Sequence, residues 1–330
     1  MSEASLLSMT APLGEHFDVP YHAVGPGGDP PAVALVAGIH GNELNGVFVL
    51  SRLAAFLESV AAGHHRERAL RRRVVVVPAV NVLGINTRSR PWPFDRTDIN
   101  RMFPGYDLGE TTQRIAQAVF DLTRPAEYRI DLHSSNLDLE ELPQVRLYDA
   151  TDAEREHAPW FGLPAVIERP ANKVLTHTIG HAWRLLGGEN YVIQAGQAGY
   201  LQHRHCEALF RSLVAFLHRA RVLEAPELAE GEADTHHFGI GQGVPLLSET
   251  AGMFVSTLRV GRWVLTGELL GHIYDSFTGR VLEDVKAPVS GLLTAVRRQP
   301  LLYEGDLIAR IHTRRPRPES ADAHVHTQGQ

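Results

Sequence analysis

The sequence predicts an α/β protein, with a mostly parallel or mixed central sheet carrying helices on both faces, followed by a small all-β, barrel-like C-terminal domain. Three observations predict it. Up to about residue 222, short β-branched runs alternate with segments of helical period. An acidic stretch rich in Glu and Ala interrupts the chain at 223–234, and from 235 to 312 the texture changes to short strands separated by glycines. Strand–helix alternation implies parallel pairing, because a parallel crossover needs about a helix's length of chain.

The elements follow in order. AVALVAG is a buried strand, ELNGVFVLSRLAAFLESVA an amphipathic helix, RVVVVPAVN a second strand, ETTQRIAQAVFDLT a second helix and YRIDLH a third strand. EALFRSLVAFLHRARVL is the last long helix, and EAPELAEGEAD reads as a linker. GMFVSTLRVG, RWVLTGELLGHIYD, GRVLEDVKAPVSG and LLTAVRRQPLLYEGDLIARI make the compact β module. The expected organisation is thus a domain at 1–222, a linker at 223–234, a β-rich domain at 235–312 and a disordered polar tail at 313–330, which has nothing to bury.

Bulk properties narrow the function. With 330 residues, 44% hydrophobic and 21% charged, the chain has room for one large domain and a smaller one. A net charge of -6 argues against a broad nucleic-acid surface, which needs clustered Lys and Arg. Apolar runs such as VVVVPAV are strand-length, and the N-terminal stretch lacks a basic region followed by an apolar core. No membrane association and a cytoplasmic location are expected. Cys206 is the only cysteine, so neither an internal disulfide nor a Cys-based zinc site can form, and any metal must sit on His, Asp and Glu.

In open α/β sheets ligands bind at the carboxyl ends of strands. AGIHGNELNG places His40 and Glu43 just past one such end, and YRIDLHSS finishes another with Asp131 and His133. A lone His-x-x-Glu is more often a pair of polar residues at a strand end; two such features at two strand ends favour a metal. His40, Glu43 and His133 would form a two-histidine, one-carboxylate set that leaves a fourth zinc position open. Between them NVLGINTRSRPWPFDRTDINRMFPG carries Arg88, Arg90, Arg96 and Arg101 in a loop too rich in Pro, Asn and Asp for regular structure, with Trp92, Phe94 and Phe103 to order it. Arginine forks suit carboxylates and oxyanions.

The order HGNE, then Asn81 to Arg90 to DINRMFPG, then DLHSS, resembles the succinylglutamate desuccinylase/aspartoacylase family, relatives of the zinc carboxypeptidases. The C-terminal strands resemble the biotinyl/lipoyl-like β-barrel that many of these proteins carry. The resemblance implies a zinc carboxypeptidase-like fold and one zinc per chain on His40, Glu43 and His133. It implies Arg90 as the arginine that steadies a tetrahedral oxyanion, Asn100 and Arg101 as the pair that grips a substrate carboxylate, and Asp131 as the partner that orients a ligand. The implied chemistry is hydrolysis of an amide in a small anionic substrate or short peptide, removing an acyl group or a C-terminal amino acid. Zinc would supply the nucleophile by bringing the pKa of water to about 7 and would polarise the carbonyl.

One position departs from the family. Where the family has a general-base glutamate in Glu-x-Gly-x-x-Gly, YVIQAGQAGY has Gln194, with Gly196 and Gly199 keeping the pattern. Gln197, the other register, is also an amide, and an amide takes up no proton at neutral pH. General acid–base assistance is worth roughly 10²–10⁴-fold. The carboxylates that could substitute are Glu189, Glu207, Glu140 and Glu141. Two readings follow: a zinc amidohydrolase with a relocated base, or a non-catalytic, zinc-retaining binding or scaffolding protein. Lys173 and His177 in PANKVLTHTIG are the first places to seek specificity.

The remaining clusters have plainer readings. His203, His205 and Cys206 read as a solvated helix start, and RERALRRR as a solvated edge. The DSFTGR turn lacks the lysine of a lipoyl or biotin carrier, so the β module is expected to cover the site or to form a homo-oligomer interface.

Overall fold

A computed structural model of the chain describes residues 4–10, 13–27, 30–229 and 234–314, so the expected tail lies outside the described residues from 315 onward. Strands β1 (Ala4–Thr10) and β2 (His16–Val24) pair antiparallel at one edge. Then come β3 (Val33–Ala37), α1 (Leu44–Ala61), β4 (Ala69–Leu70), β5 (Val74–Val77), α2 (Val82–Thr87), α3 (Thr111–Thr123) and β6 (Tyr128–His133). Next are β7 (Leu139–Tyr148), α4 (Asp152–His157), β8 (Ala165–Arg169), α5 (Ile179–Arg184), β9 (Glu189–Gly196) and α6 (His203–Arg219).

Strands β5, β3, β6 and β9 are parallel neighbours in that order, and β7 reverses direction against β9. The sheet is therefore mixed, with a parallel centre. Period-2 alternation explains how it buries both faces: Val33, Leu35, Val74 and Val76 belong to one core with α1 and α6, whereas Val36, Val75 and Val77 belong to another with α3 and α5. Helix α1 is long and apolar enough to cross a membrane by composition alone. Its Val49, Leu50, Leu53 and Leu57 are instead fully buried against the sheet, as in a core helix.

The acidic connector is folded where it is described. Strand β10 (Leu223–Glu224) pairs with β4, and α7 (Pro226–Ala229) follows. The reason lies in charge: Glu224 pairs with Arg71 at 2.6 Å and Glu227 with Arg68 at 2.6 Å. RERALRRR, read from sequence as a solvated edge, is the platform for this segment.

The C-terminal strands are β11 (His236–Phe238), β12 (Gly243–Leu247), β13 (Gly252–Val255), β14 (Trp263–Val264), β15 (Leu269–Tyr274), β16 (Val281–Lys286), β17 (Gly291–Arg297), β18 (Leu301–Leu302) and β19 (Leu307–His312). Two sheets enclose a core that includes Phe254, Ile273, Leu293 and Ile311. One sheet is continuous with the central one, because β17 pairs with β7 and β11 pairs with β8. Ala165 and Ile167 of β8 lie in this second core. The β module is thereby joined to the strands that carry the site.

Candidate active site

Residues 38–43 turn sharply after β3, and the turn is held by its neighbours. A Cβ on Gly41 would lie 2.1 Å from the carbonyl carbon of Gly84, so only glycine lets α2 pack here. Gly41 donates its N–H to the Arg90 carbonyl, and the Asn81 side chain donates to the same oxygen while capping α2 through Gly84 N at 2.8 Å. This corrects the reading of 81–105 as wholly irregular: Asn81 starts a short helix, and the loop begins after it. Of the three aromatics expected to order the loop, Trp92 and Phe103 are buried and Phe94 is exposed.

The turn delivers His40 and Glu43 to the end of β6. One donor atom from each of His40, Glu43 and His133 lies within 4.8 Å of the others, as the sequence led us to expect. Glu43 is 3% exposed, with Oε1 2.7 Å from His40 Nδ1 and Oε2 3.0 Å from His133 Nδ1. Each imidazole turns its other nitrogen to a carboxylate: His133 Nε2 lies 2.6 Å from Asp131 Oδ2, and His40 Nε2 lies 3.2 Å from Asp98 Oδ1. Glu43 faces both Nδ1 atoms, so a cation bound there would take the Nδ1 lone pairs and leave the protons on Nε2, toward Asp131 and Asp98. His40 Nδ1 is buried without a hydrogen bond although Glu43 is so near. A buried polar atom without a partner is costly, and a cation at this point would remove the cost. The donor set fits a metal.

The electrostatics agree. Burial opposes ionisation of Glu43, but the His40 and His133 charges outweigh it and hold the carboxyl well below its usual range. Burial likewise works against a charge on His133, yet Asp131 and Glu43 push its pKa up to about 10. For Asp98, burial is again opposed, here by His40 and by the Arg101 and Arg90 charges, and the carboxyl is held low.

A cavity of about 1050 Å³ opens over this cluster. Arg90, Asn100 and Arg101 line it beside the histidines. Arg90 Nη1 donates to Glu43 Oε1 at 2.8 Å. Asn100 Oδ1 accepts from Ile179 N, tying the loop to the start of α5, and Arg101 donates to the Asn100 carbonyl. Gln194 lies beside His133 in the β6–β9 register and lines the cavity, whereas Gln197 turns away to donate to the Leu137 carbonyl. Of the two glutamines, Gln194 is the one that faces the cavity. Its Oε1 accepts from Arg146 Nη1 at 3.2 Å.

Of the four carboxylates weighed as substitutes, Glu141 alone lines the cavity. Glu140 pairs with His205 at 2.7 Å and with Arg298 at 2.6 Å, Glu189 at the start of β9 pairs with His157, and Glu207 of α6 pairs with Arg52 of α1. His205 and Cys206 are buried rather than solvated, because Glu140 draws His205 inward; His203 remains exposed. Lys173 and His177 do not line the cavity, whereas their neighbours Leu175 and Thr178 do. Sequence reasoning gave no role to Asp98, Arg146 or Arg169. An arginine inside an apolar strand such as QVRLY was the available signal.

A model of the succinylglutamate desuccinylase/aspartoacylase catalytic domain matches residues 29–187, a span that contains His40, Glu43, Arg90, Arg101 and His133. That segment is similar to the family's catalytic domain. The chain is similar to an N-alpha-acetyl-L-2,4-diaminobutyric acid deacetylase from Halomonas elongata, 25% identical over 294 residues that cover 86% of this chain and 82% of the relative. Its fold is that of the product-bound ectoine utilization protein EutE (DoeB) from Ruegeria pomeroyi, with a TM-score of 0.74, 24% identity and 92% of each chain covered. A succinylglutamate desuccinylase/aspartoacylase from Rhodobacter sphaeroides aligns equally well, with a TM-score of 0.74, 24% identity and 92% of each chain covered. Proteins similar to this chain are thus named as a deacetylase and a desuccinylase/aspartoacylase, hydrolytic enzymes of amide bonds.

Proposed function

We propose that this protein is a zinc-dependent hydrolase that cleaves an amide bond in a small carboxylate-bearing substrate, either an N-acyl amino acid or the C-terminal end of a short peptide, and that it works in the cytoplasm. The observation that carries the reading is the convergence of His40 Nδ1, Glu43 and His133 Nδ1 at the floor of a cavity walled by guanidinium groups. Zinc held by these three residues would polarise the scissile carbonyl and acidify water to a pKa of about 7.

The chain's own residues do the rest. Asp131 and Asp98 hold the two imidazoles in the tautomer that binds metal. Arg101, whose guanidinium also donates to the Asn100 carbonyl, reaches the cavity as a fork for a carboxylate. Arg90, beside Glu43, is placed to stabilise the negative charge that develops on the carbonyl oxygen. Gln194 cannot accept a proton. Because Arg146 only donates, the atom facing it must be the Gln194 oxygen, and the amide nitrogen is then the free donor. Of the four glutamates weighed as substitutes, Glu141 is the one within the cavity, and it carries a proton to the leaving amine in this reading.

Gln194 is also the observation that favours a second reading, a binding protein that keeps the metal and the carboxylate grip. Zinc-loaded protein assayed for amine release from a panel of N-acyl amino acids and short peptides decides between them. Turnover that disappears with a chelator and in His133→Ala supports the hydrolase; binding of the same compounds without turnover supports the second reading.

A further inference from the structure

The cavity over the metal cluster extends in two directions. Along β7 and β8 it is charged: Arg146 and Arg169 line it, Glu141 pairs with Arg146, and Arg310 of β19 lies 3.7 Å from Glu141. In the other direction it runs over Ser134 and Ser135 to Leu137, which is also a wall of a second cavity of about 440 Å³. The two spaces meet at that side chain. The second is a groove between the turn after β9 and the β17–β18 loop of the C-terminal module, with Leu137, Tyr200, Leu201 and Pro300 as its apolar walls.

The turn is held fixed by backbone contacts to the metal-binding segments. Gly199 donates its N–H to the Asn42 carbonyl at 2.7 Å, and Ala198 donates to the Ser135 carbonyl. Gln202 Oε1 accepts from Gln197 N at 2.7 Å and from Asn45 of α1 at 3.2 Å. Gly199 has φ +80°, and a Cβ there would lie 3.1 Å from Leu137 Cδ2, so the turn fits closely against that leucine. Yet Leu137, Tyr200 and Leu201 are each more than half exposed. A rigid turn thus presents apolar side chains beside an open groove.

The polar groups of the groove are neutral amides. Gln197 Nε2 donates to the Leu137 carbonyl, which leaves its Oε1 as a free acceptor. Gln202 and Gln299 have their oxygens committed, the latter to Leu301 N at 2.8 Å, which leaves two Nε2 donors. Among the described residues none of these three ends has a partner. The charges of the groove cancel: Arg298 pairs with Glu140 at 2.6 Å, and Glu140 also meets His205. One acceptor and two donors between apolar walls match a peptide unit with a neutral side chain; a plain hydrocarbon acyl chain would leave all three amide ends buried and unmet.

The direction is set by the sheet. Asn100 and Arg101 are tied to α5, which packs on one face, whereas the turn leads into α6 and is bonded to α1, both on the other face. A substrate whose carboxylate lies on Arg101 therefore carries its acyl part across the metal cluster toward the groove.

We propose that this groove is a subsite for a peptide residue on the acyl side of the scissile amide, so that the substrate is a short neutral peptide cut at its C-terminal end, and that Gln299 and Pro300 bring the C-terminal module into its recognition. This deepens the hydrolase reading above and rests on it for the reaction, but the groove is also open to a direct binding measurement.

The test pairs each N-acetyl amino acid of the panel with the acetyl-dialanyl peptide that ends in the same residue, on full-length zinc-loaded protein. The wild type should favour the peptide by about tenfold or more in kcat/KM. Tyr200→Ala should lower that preference about tenfold, and Gln299→Ala by about three- to tenfold, the effect of losing one neutral hydrogen bond. A residue that only supports the fold would lower both substrates together and leave the ratio where it was; that result overturns the proposal, as does a wild type that shows no preference for the peptide.

The same pairs are titrated calorimetrically. If neither compound is hydrolysed but the peptide binds about tenfold more tightly and loses this in Tyr200→Ala, the subsite stands and the hydrolase reading falls. If N-acetyl amino acids are hydrolysed and the matching peptides are neither bound nor cut better, the hydrolase reading stands and the subsite falls.

Discussion

Asp131 and His133 stand two residues apart on β6, and the alternation of the strand turns both to one face, where Asp131 Oδ2 meets His133 Nε2 at 2.6 Å. The contact fixes which nitrogen is free to bind a metal. Asp131→Asn should keep the fold, since the amide fills the same space, but lose about 10- to 100-fold in zinc affinity. His133→Ala should abolish stoichiometric zinc, leaving two protein ligands. Zinc titration against a competing chelator measures both; full retention of zinc by His133→Ala would remove the proposed site.

Arg90 and Arg101 face the same cavity from different positions, and they should separate kinetically. Arg90 lies against Glu43, near where an oxyanion would form, so Arg90→Ala should mainly lower kcat, by about 10²–10³ if it is a true oxyanion donor. Arg101 lines the cavity, and in the proposed function it meets a substrate carboxylate, present before and during reaction, so Arg101→Ala should mainly raise KM. Zinc content must be measured alongside, because Arg90 touches a ligand. Equal effects of the two changes on kcat and KM would dissolve this division.

The metal cluster was legible in the sequence because each half is local. HGNE follows β3 and DLH ends β6, and these strands are parallel neighbours, so their carboxyl ends must meet. The arginine group was not legible. Arg146, Arg169 and Arg310 come together through the reversal at β7 and the pairing of β7 with β17, and no local pattern announces which strands will be adjacent. The acidic connector misled for a related reason: its composition is that of a linker, but the complementary arginines lie about 150 residues earlier.

His312 offers a pH test of the same arginine field. Burial and the Arg310, Arg169 and Arg146 charges hold it at about 3 in the folded protein, against about 6.5 in an unfolded chain. Above pH 6.5 neither state is protonated and the group contributes nothing. As pH falls through 6.5 the unfolded chain takes up a proton that the folded one refuses, so stability declines, at the limit by about 1.4 kcal/mol per pH unit until roughly pH 3. His312→Gln should lose less stability than wild type between pH 7 and 5 in urea unfolding. Parallel losses in the two proteins would mean that His312 is not held neutral.

Gln194 decides how the proposed hydrolase works. Its oxygen is committed to Arg146, so where the family pattern has a proton acceptor this chain presents an N–H donor. A glutamate at this position would pair with Arg146 and stay ionised, competing with Glu141 for the same guanidinium and setting a negative charge beside an anionic substrate. Gln194→Glu should therefore lower kcat/KM on whichever N-acyl amino acid the wild type hydrolyses. A glutamine left over from a lost activity predicts the opposite, a gain of about 10²–10⁴-fold from restored acid–base assistance. The comparison requires both proteins at equal zinc content on one substrate panel between pH 6 and 8, with Glu141→Gln as the third member. Loss of turnover in Glu141→Gln, with zinc content retained and Glu140→Gln, Glu189→Gln and Glu207→Gln still active, assigns the proton transfer to Glu141; a large gain in Gln194→Glu instead identifies the wild type as a binding protein one substitution away from an enzyme.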